Sequence, residues 1–166
     1  MIADQKLERT AQELREHSLS IFGRSLHIRT VDTGSCAVCE SEIRLLQAPT
    51  YDLHRLGFFF TPAPRHADLL LITGPCVRAF DNALQEVVNA TPDPKAIIAV
   101  GACALGGIYQ EDEFVHGALD RVLPVDVYIP GCPPNPLALL QGLLVAVGRL
   151  KERVGKLSLD LDRSDT

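Results

Sequence analysis

Four short apolar runs, each followed by a glycine turn and a cysteine, limit the folds open to this chain. The last three runs are rich in Ile, Val and Leu with little alternation, as expected for strands buried on both faces of a parallel sheet. The four runs are SLHIRTVDTGSC (25–36), ADLLLITGPC (67–76), KAIIAVGAC (95–103) and VDVYIPGC (125–132). They predict four strands, each with a cysteine just beyond its carboxyl end.

Helical patterns separate the predicted strands. The segment 40–57 is a helix candidate that Pro49 should interrupt, and the segments 80–92 and 136–154 follow the second and the last strand. Residues 4–16 also carry apolar side chains at helical spacing. Strands that alternate with helices predict an open α/β sheet with right-handed crossovers.

Length and charge narrow the class of protein. A chain of 166 residues fits one domain with a sizeable core, expected at 25–152 between an N-terminal helical extension (1–24) and a C-terminal tail (153–166). The net charge of −5 argues against nucleic acid as a partner, because phosphate binding requires a basic face. The N-terminus lacks the apolar run of a signal peptide, and no apolar stretch reaches the ~20 residues of a membrane span. We therefore expect a reducing, cytoplasmic setting, in which cysteines more often bind metals or react than form disulfides.

The cysteines give the main indication of function in this sequence. Ligands of open α/β sheets bind beyond the carboxyl ends of the strands, so thiols that are far apart in sequence would converge at one edge. Four thiolates that converge in this way could hold an iron–sulfur cluster. Of the five cysteines we leave out Cys76, which follows Pro75. Cys132 lies in the proline-stiffened loop PGCPPNP and is followed directly by proline, as in the ligand run of bacterial ferredoxins.

Three other interpretations of the thiols stay open from the residues alone. A structural zinc site also uses four cysteines, but usually as two close pairs, and here only Cys36 and Cys39 form a C-x-x-C pair. A thioredoxin-like dithiol would explain that pair without the distant thiols. The remaining cysteines could also be small buried residues without chemistry.

A specific set of motifs follows in order along residues 25–150. They are GSCAVCESEI, YDLHRLGFFFTPAPRHADLLLITGP, VGACALGG and VDVYIPGCPPNP. In this order they resemble the small subunit of nickel–iron hydrogenases and the related cluster-bearing subunit of respiratory complex I. The resemblance implies a flavodoxin-like α/β fold, an open parallel sheet with helices on both faces. It also implies one 4Fe–4S cluster near the interface with a large catalytic subunit.

The resemblance assigns residue roles motif by motif. The implied cluster ligands are Cys36, Cys39, Cys103 and Cys132. Glu42 matches a family glutamate three residues after the second cysteine and is expected to relay protons or contact the partner. The alternative for Glu42 is a solvated glutamate in the first turn of a helix, which is favourable by itself.

Spacing within the motifs indicates a subgroup. Complex I subunits carry two adjacent cysteines at the first site, so the C-x-x-C spacing favours the hydrogenases. No cysteine follows Cys132. In this respect the chain resembles the energy-converting, complex I-like hydrogenases such as formate hydrogenlyase. One departure is Val38, where hydrogenases usually have glycine and where valine would crowd the loop near the cluster. The implied partners are a large nickel–iron hydrogenase-type subunit and ferredoxin-like and membrane subunits, with this chain peripheral on the cytoplasmic side of the membrane.

Two further functions stay open at this stage. One is the 4Fe–4S subunit of a complex I-type quinone oxidoreductase, and the other is a zinc-binding module. Arg65 and His66 resemble the segment that approaches the quinone cavity of complex I, and the alternative for both is a surface loop before a strand. The aromatic segment GFFFTPAP (57–64) is expected either as an exposed loop that contacts a partner or as a short buried strand.

Overall fold

Five strands, four helices and a group of helical residues near the N-terminus form the main secondary structure of the described part of the chain. The structure is a computed structural model that describes residues 5, 8–10, 12–16 and 23–164, and their side chains as far as residue 153. The strands are β1 (Leu26–Asp32), β2 (Phe58–Phe60), β3 (Leu69–Thr73), β4 (Ala96–Val100) and β5 (Val127–Ile129). The helices are α1 (Val38–Leu45), α2 (Asp81–Ala90), the single turn α3 (Gly101–Ala104) and α4 (Pro136–Ser164). Short 3-10 turns cover Leu53–Leu56, Pro64–His66, Arg78–Phe80 and Leu119–Arg121.

All five strands are parallel and lie in one sheet in the order β2-β1-β3-β4-β5. This order is that of flavodoxin-like sheets, in which the direction of winding reverses between β1 and β3. The central strands β3 and β4 are buried at every residue, because helices cover both faces of the sheet there. The predicted open parallel sheet with helices on both faces is therefore confirmed.

Two apolar clusters fill the space between the sheet and its helices. On one face Leu26, Leu71 and Ile98 pack with α1, α4 and Leu14 of the N-terminal helical residues. On the other face Leu70 and Ile97 pack against α2. This alternation follows from the pleat of a strand, which sends successive side chains to opposite faces.

The tertiary structure adds details to the predicted elements. The aromatic segment forms β2, an edge strand with Phe58 fully buried and Phe59 39% exposed, so its interpretation as a loop is wrong. Helix α1 ends before Pro49, as predicted, and α4 continues past the expected domain boundary at residue 152 to Ser164. Among the described residues, no helix is long and apolar enough to span a membrane.

Candidate metal centre

The carboxyl edge of the sheet carries a small cavity of about 90 Å³ between the loops that follow β1, β3, β4 and β5. It is lined by Ser35, Cys36, Val38, Cys39, Gly74, Ala102, Cys103, Cys132 and Pro133. Four of the five cysteines thus meet at one place, although three separate strands deliver them. The remaining lining is almost entirely apolar or backbone, so the thiols are the chemical groups that this cavity offers.

The loop after β1 is shaped by its own hydrogen bonds before α1 begins. The Asp32 carboxylate accepts the backbone N–H groups of Gly34 (2.9 Å) and Ser35 (2.7 Å). Ala37 then takes a left-handed conformation, with φ 64°, as the residue that precedes the helix. This reversal brings Cys36 and Cys39, on either side of it, to the same cavity.

The other two thiols reach the cavity on loops that are tied to each other. Cys103 lies in the helical turn α3, directly after β4, and Cys132 lies three residues after β5 ends. The backbone N–H of Ala102 donates to the carbonyl of Gly131 at 2.7 Å. Because β4 and β5 are neighbours, this bond holds the Cys103 turn against the Cys132 loop.

The electrostatics of the cavity show how closely the thiols share it. Burial raises the pKa of the Cys39 thiol to about 11, with further contributions from Glu40, Cys103, Cys36 and Cys132. Burial likewise raises the pKa of Cys103, followed by the charges of Cys132 and Cys36. Four thiolates at this spot therefore repel one another and require a positively charged group between them.

Cys76 lies apart from the other four thiols. It is 1% exposed, belongs to the apolar cluster on the α2 side of the sheet, and has its Sγ 3.9 Å from the Thr33 hydroxyl oxygen. Its backbone is left-handed, with φ 55°. Cys76 follows β3 in sequence like the other cysteines follow their strands, but it is not among the residues that line the cavity.

The remaining predicted site residues differ in their relation to the cavity. Val38 is the first residue of α1, lines the cavity and is 45% exposed. Glu42 is half-buried on α1 and does not line the cavity, and its side chain has no hydrogen bond or ion pair within the described residues. Arg65 and His66 are both exposed in the 3-10 turn before β3. They lie at the amino ends of the strands, the edge opposite to the thiols.

The sequence reasoning missed Glu40, which belongs to the same loop system. Its carboxylate accepts a hydrogen bond from Ser35 Oγ at 2.8 Å and another, short one from Thr73 Oγ1. Its second oxygen, Oε2, is buried and has no hydrogen-bond partner among the described residues. The signal in the sequence was its place directly after Cys39, where a charge cannot be far from a bound metal.

The donor set fits a 4Fe–4S cluster better than a single metal ion. Within the described chain, no three His, Cys, Asp or Glu side chains are arranged to hold one ion. A zinc site needs its sulfurs about 2.3 Å from one centre, whereas a cluster takes one thiolate at each of several irons. Four thiols spread around a cavity of about 90 Å³, with a glycine at position 101 where a side chain would collide with Cys39, match the second arrangement.

The fold and the thiol cavity together define a class: a flavodoxin-like domain that presents four cysteines at the carboxyl edge of its sheet. Residues 36–146 match the family described as NADH ubiquinone oxidoreductase, 20 Kd subunit. The matched region includes all four cavity cysteines and most of the sheet. The chain belongs to this family of oxidoreductase subunits, and it falls in the complex I-like group.

Relatives within the family come from two kinds of complex. The chain is 43% identical to the probable membrane-bound hydrogenase subunit mbhJ of Pyrococcus furiosus, over 89% of each chain. It is 40% identical to formate hydrogenlyase subunit 7 of Escherichia coli, over 89% of this chain and 58% of that protein. An NADH-quinone oxidoreductase subunit of Geotalea daltonii is 40% identical, over 75% of this chain and 71% of the relative.

A solved structure has the same fold. A chain of the membrane-bound sulfane sulfur reductase, an archaeal respiratory membrane complex, superposes with a TM-score of 0.66 at 34% identity. The match covers 78% of this chain and 72% of that one. The fold and the family therefore agree with the predicted resemblance.

Proposed function

We propose that this chain is the electron-transfer small subunit of a membrane-associated nickel–iron hydrogenase complex and holds one 4Fe–4S cluster next to the catalytic site of a large subunit. The observation that carries the proposal is the meeting of Cys36, Cys39, Cys103 and Cys132 around one cavity. The relatives named as hydrogenase and formate hydrogenlyase subunits support the choice of complex.

The residues of the cavity suit this task. The four thiolates would hold the cluster, which would supply one-electron transfer when bound. Cys36 and Cys132 are exposed at the mouth of the cavity, whereas Cys39 and Cys103 are partly buried. The backbone N–H groups of Gly34, Ser35, Ala37 and Ala102 are already paired. Other N–H groups of the loops GSCAVC and GACALGG would donate to sulfur, which tunes the potential of such a centre. The exposed mouth is the side on which a large subunit would dock and receive electrons.

The subunit would work with partner subunits at a membrane. The large partner carries the nickel–iron site, and ferredoxin-like and membrane subunits complete the complex. This chain sits peripherally on the cytoplasmic side of the membrane. Glu42, whose half-buried side chain has no partner in the described chain, relays protons or contacts the large subunit. Its place on the helix that carries Cys39 supports that role.

Metal analysis of two cysteine variants tests the cluster. The purified protein should contain about four irons and four sulfides per chain, the number in one cluster, and show the visible absorption typical of iron–sulfur proteins. Cys103→Ser should lose most of this iron, whereas Cys76→Ala should keep it, because Cys76 lies outside the cavity. Zinc in place of iron would contradict the proposal, and so would a full iron complement with an unchanged EPR signal in Cys103→Ser.

An activity measurement on the intact complex separates hydrogenase from quinone reductase. The co-purified complex should reduce a viologen dye with hydrogen as the electron source. The C-x-x-C spacing of Cys36 and Cys39 favours this outcome over a complex I-type enzyme. Quinone reduction without hydrogen-dependent dye reduction would assign the chain to the complex I-type alternative. Arg65 and His66 could serve a quinone only from the far edge of the sheet, the length of β3 away from the cavity.

A further inference from the structure

Glu40 makes a connection between three segments at the edge of the thiol cavity. Its Oε1 atom accepts hydrogen bonds from the hydroxyl groups of Ser35, in the loop after β1, and Thr73, the last residue of β3. Ser35 Oγ in turn accepts the backbone N–H of Ala37 at 3.0 Å. The carboxylate therefore lies at the junction of the C-x-x-C loop, helix α1 and the end of the central strand.

This carboxylate is held beside the thiol cavity, and one of its two oxygens is buried without a partner among the described residues. Ser35 itself lines the cavity, and so do Cys39 and Gly74, which adjoin Glu40 and Thr73 in sequence. Oε2 of Glu40 is buried and has no partner in the described chain. Burying a polar atom without a hydrogen bond is unfavourable, so a purely structural role of Glu40 does not account for this second oxygen.

Two features place the carboxylate of Glu40 near the thiols. Both hydroxyl groups donate to the same oxygen, which holds the carboxylate between the C-x-x-C loop and the end of β3. The charge of Glu40 also contributes to the raised pKa values of Cys39 and Cys103, after burial as the main cause. The carboxylate is thus within electrostatic range of two of the four thiols.

We propose that Glu40 sets the reduction potential of the cluster, holding it lower than a neutral residue would. This inference rests on the proposed function, because it requires a cluster at the four thiols. Reduction adds one electron, and hence one negative charge, to a centre that four thiolates already make negative. A fixed carboxylate beside it raises the free energy of the reduced form more than that of the oxidised form. In the low-dielectric interior such an interaction is much stronger than in water.

Glu42 does not share this position, although it lies only two residues along the same helix. Residues two apart on an α-helix point in nearly opposite directions, about 200° around the axis. Neither glutamate lines the cavity itself, but of the two Glu40 alone is hydrogen-bonded to Ser35, which does line it, and to Thr73. The assignment of the potential-setting charge is therefore specific to Glu40.

A redox titration of the isolated subunit tests the proposal. The protein is poised with sodium dithionite and mediator dyes, and the EPR signal of the reduced cluster gives the midpoint potential. Glu40→Gln keeps the size of the side chain and removes its charge, and it should shift the midpoint to a more positive value. The matched control Glu86→Gln makes the same change on the exposed face of α2 and should leave the midpoint unchanged.

The outcomes separate this role from a structural one and from failure of the proposed function. An unchanged midpoint in Glu40→Gln, with the cluster intact, would overturn the assignment, and an equal shift in Glu86→Gln would do the same. If Glu40→Gln does not retain iron, Glu40→Ala and Glu40→Asn are titrated instead. Loss of the cluster from all three neutral variants would also overturn it, because Glu40 would then be needed only for assembly. Absence of the cluster from the unaltered protein would instead contradict the proposed function.

Discussion

The Cα of Gly101 lies so close to the Cys39 side chain that a Cβ at residue 101 would be 2.6 Å from Cys39 Sγ. Real Cβ atoms essentially never approach another heavy atom so closely. Gly101 also has φ 88°, in the region that other L-residues rarely adopt. The end of β4 and the C-x-x-C helix can therefore share one cavity only because residue 101 lacks a side chain.

Substitution of this glycine should damage the site more than the fold. We expect Gly101→Ala to lose most of the bound iron, because the new methyl group displaces Cys39 and the left-handed backbone costs about 1–2 kcal/mol. Iron per chain after purification is the measurement, with far-UV circular dichroism as the check on folding. Gly148→Ala is the matched control, since nothing lies within 4 Å of a Cβ built there. Normal iron content in Gly101→Ala would contradict the close approach.

Gly142 marks a second close approach, between helix α4 and strand β5. A Cβ on Gly142 would lie 2.5 Å from Cγ1 of Ile129 and would also collide with its Cδ1. Ile129 is 2% exposed and has little room to move. We expect Gly142→Ala to lower the free energy of unfolding by about 1–3 kcal/mol through overpacking, as measured by urea denaturation.

Gly148 provides the comparison for this helix. Gly148→Ala should raise the free energy of unfolding by about 0.5–1 kcal/mol, because alanine is the better helix former and meets no neighbour. Opposite signs for two glycine-to-alanine changes on one helix would identify packing as the cause. Equal stabilisation by both would argue against the contact with Ile129.

Asp68, just before β3, is hydrogen-bonded to Arg24, which precedes β1, and to His27 near the start of β1. Its carboxylate accepts two hydrogen bonds from Arg24, at 2.6 and 3.1 Å, and the backbone N–H of His27 at 2.8 Å. Asp68 is 8% exposed. We expect Asp68→Ala to cost about 1–3 kcal/mol of unfolding free energy, because it leaves the His27 N–H without its acceptor.

An exposed ion pair serves as the control for Asp68. Asp93 pairs with Lys95 at 3.6 Å, but its side chain is 79% exposed. Asp93→Ala should change the unfolding free energy by less than about 1 kcal/mol. A loss for Asp68→Ala as small as that for Asp93→Ala would show that the buried hydrogen bonds contribute little.

The metal-free protein should lose stability at alkaline pH. Burial raises the pKa of Cys39 from its ordinary 9.0 to about 11. Between these two values the folded state keeps a proton that the unfolded state has released, so stability falls as pH rises. Thermal unfolding of the metal-free form from about pH 8 to 11 should show this decline, and Cys39→Ala should reduce it.

Loading of the cluster should reduce this decline, and the part due to the buried thiol of Cys76 should remain, because burial raises the pKa of Cys76 to about 11 as well. Metal-bound cysteines are already deprotonated, so they release no proton at alkaline pH. The loaded protein should therefore unfold at a temperature that depends less on pH in this range. A metal-free protein with a flat profile across the same alkaline range would contradict the raised pKa of Cys39.

Much of the fold followed from local patterns. The apolar runs that end at Asp32, Thr73, Val100 and Ile129 became strands of the sheet, because a strand buried on both faces must be apolar at nearly every position. Parallel strands put their carboxyl ends at one edge, so the cysteines after them had to lie near that edge. Pro49 marked the end of a helical segment because it cannot continue a helix.

Long-range contacts account for the features that these patterns did not predict. Phe58–Phe60 forms an edge strand through pairing with Leu26–Ile28, a contact that the short aromatic run does not encode. Cys76 follows its strand as the other cysteines do, yet a left-handed turn and contact with Thr33 place it in the apolar core.

Residue patterns alone were enough to predict a parallel α/β sheet with thiols at one edge, because strand burial and glycine turns are local properties. The choice of residues that share the cavity came from the packing of distant segments. That packing joined Gly101 to Cys39 and brought Ser35, Glu40 and Thr73 together across the loop, the helix and the central strand. These contacts depend on the twist of the sheet and on the packing of α1 upon it, and neither can be read from the spacing of residues.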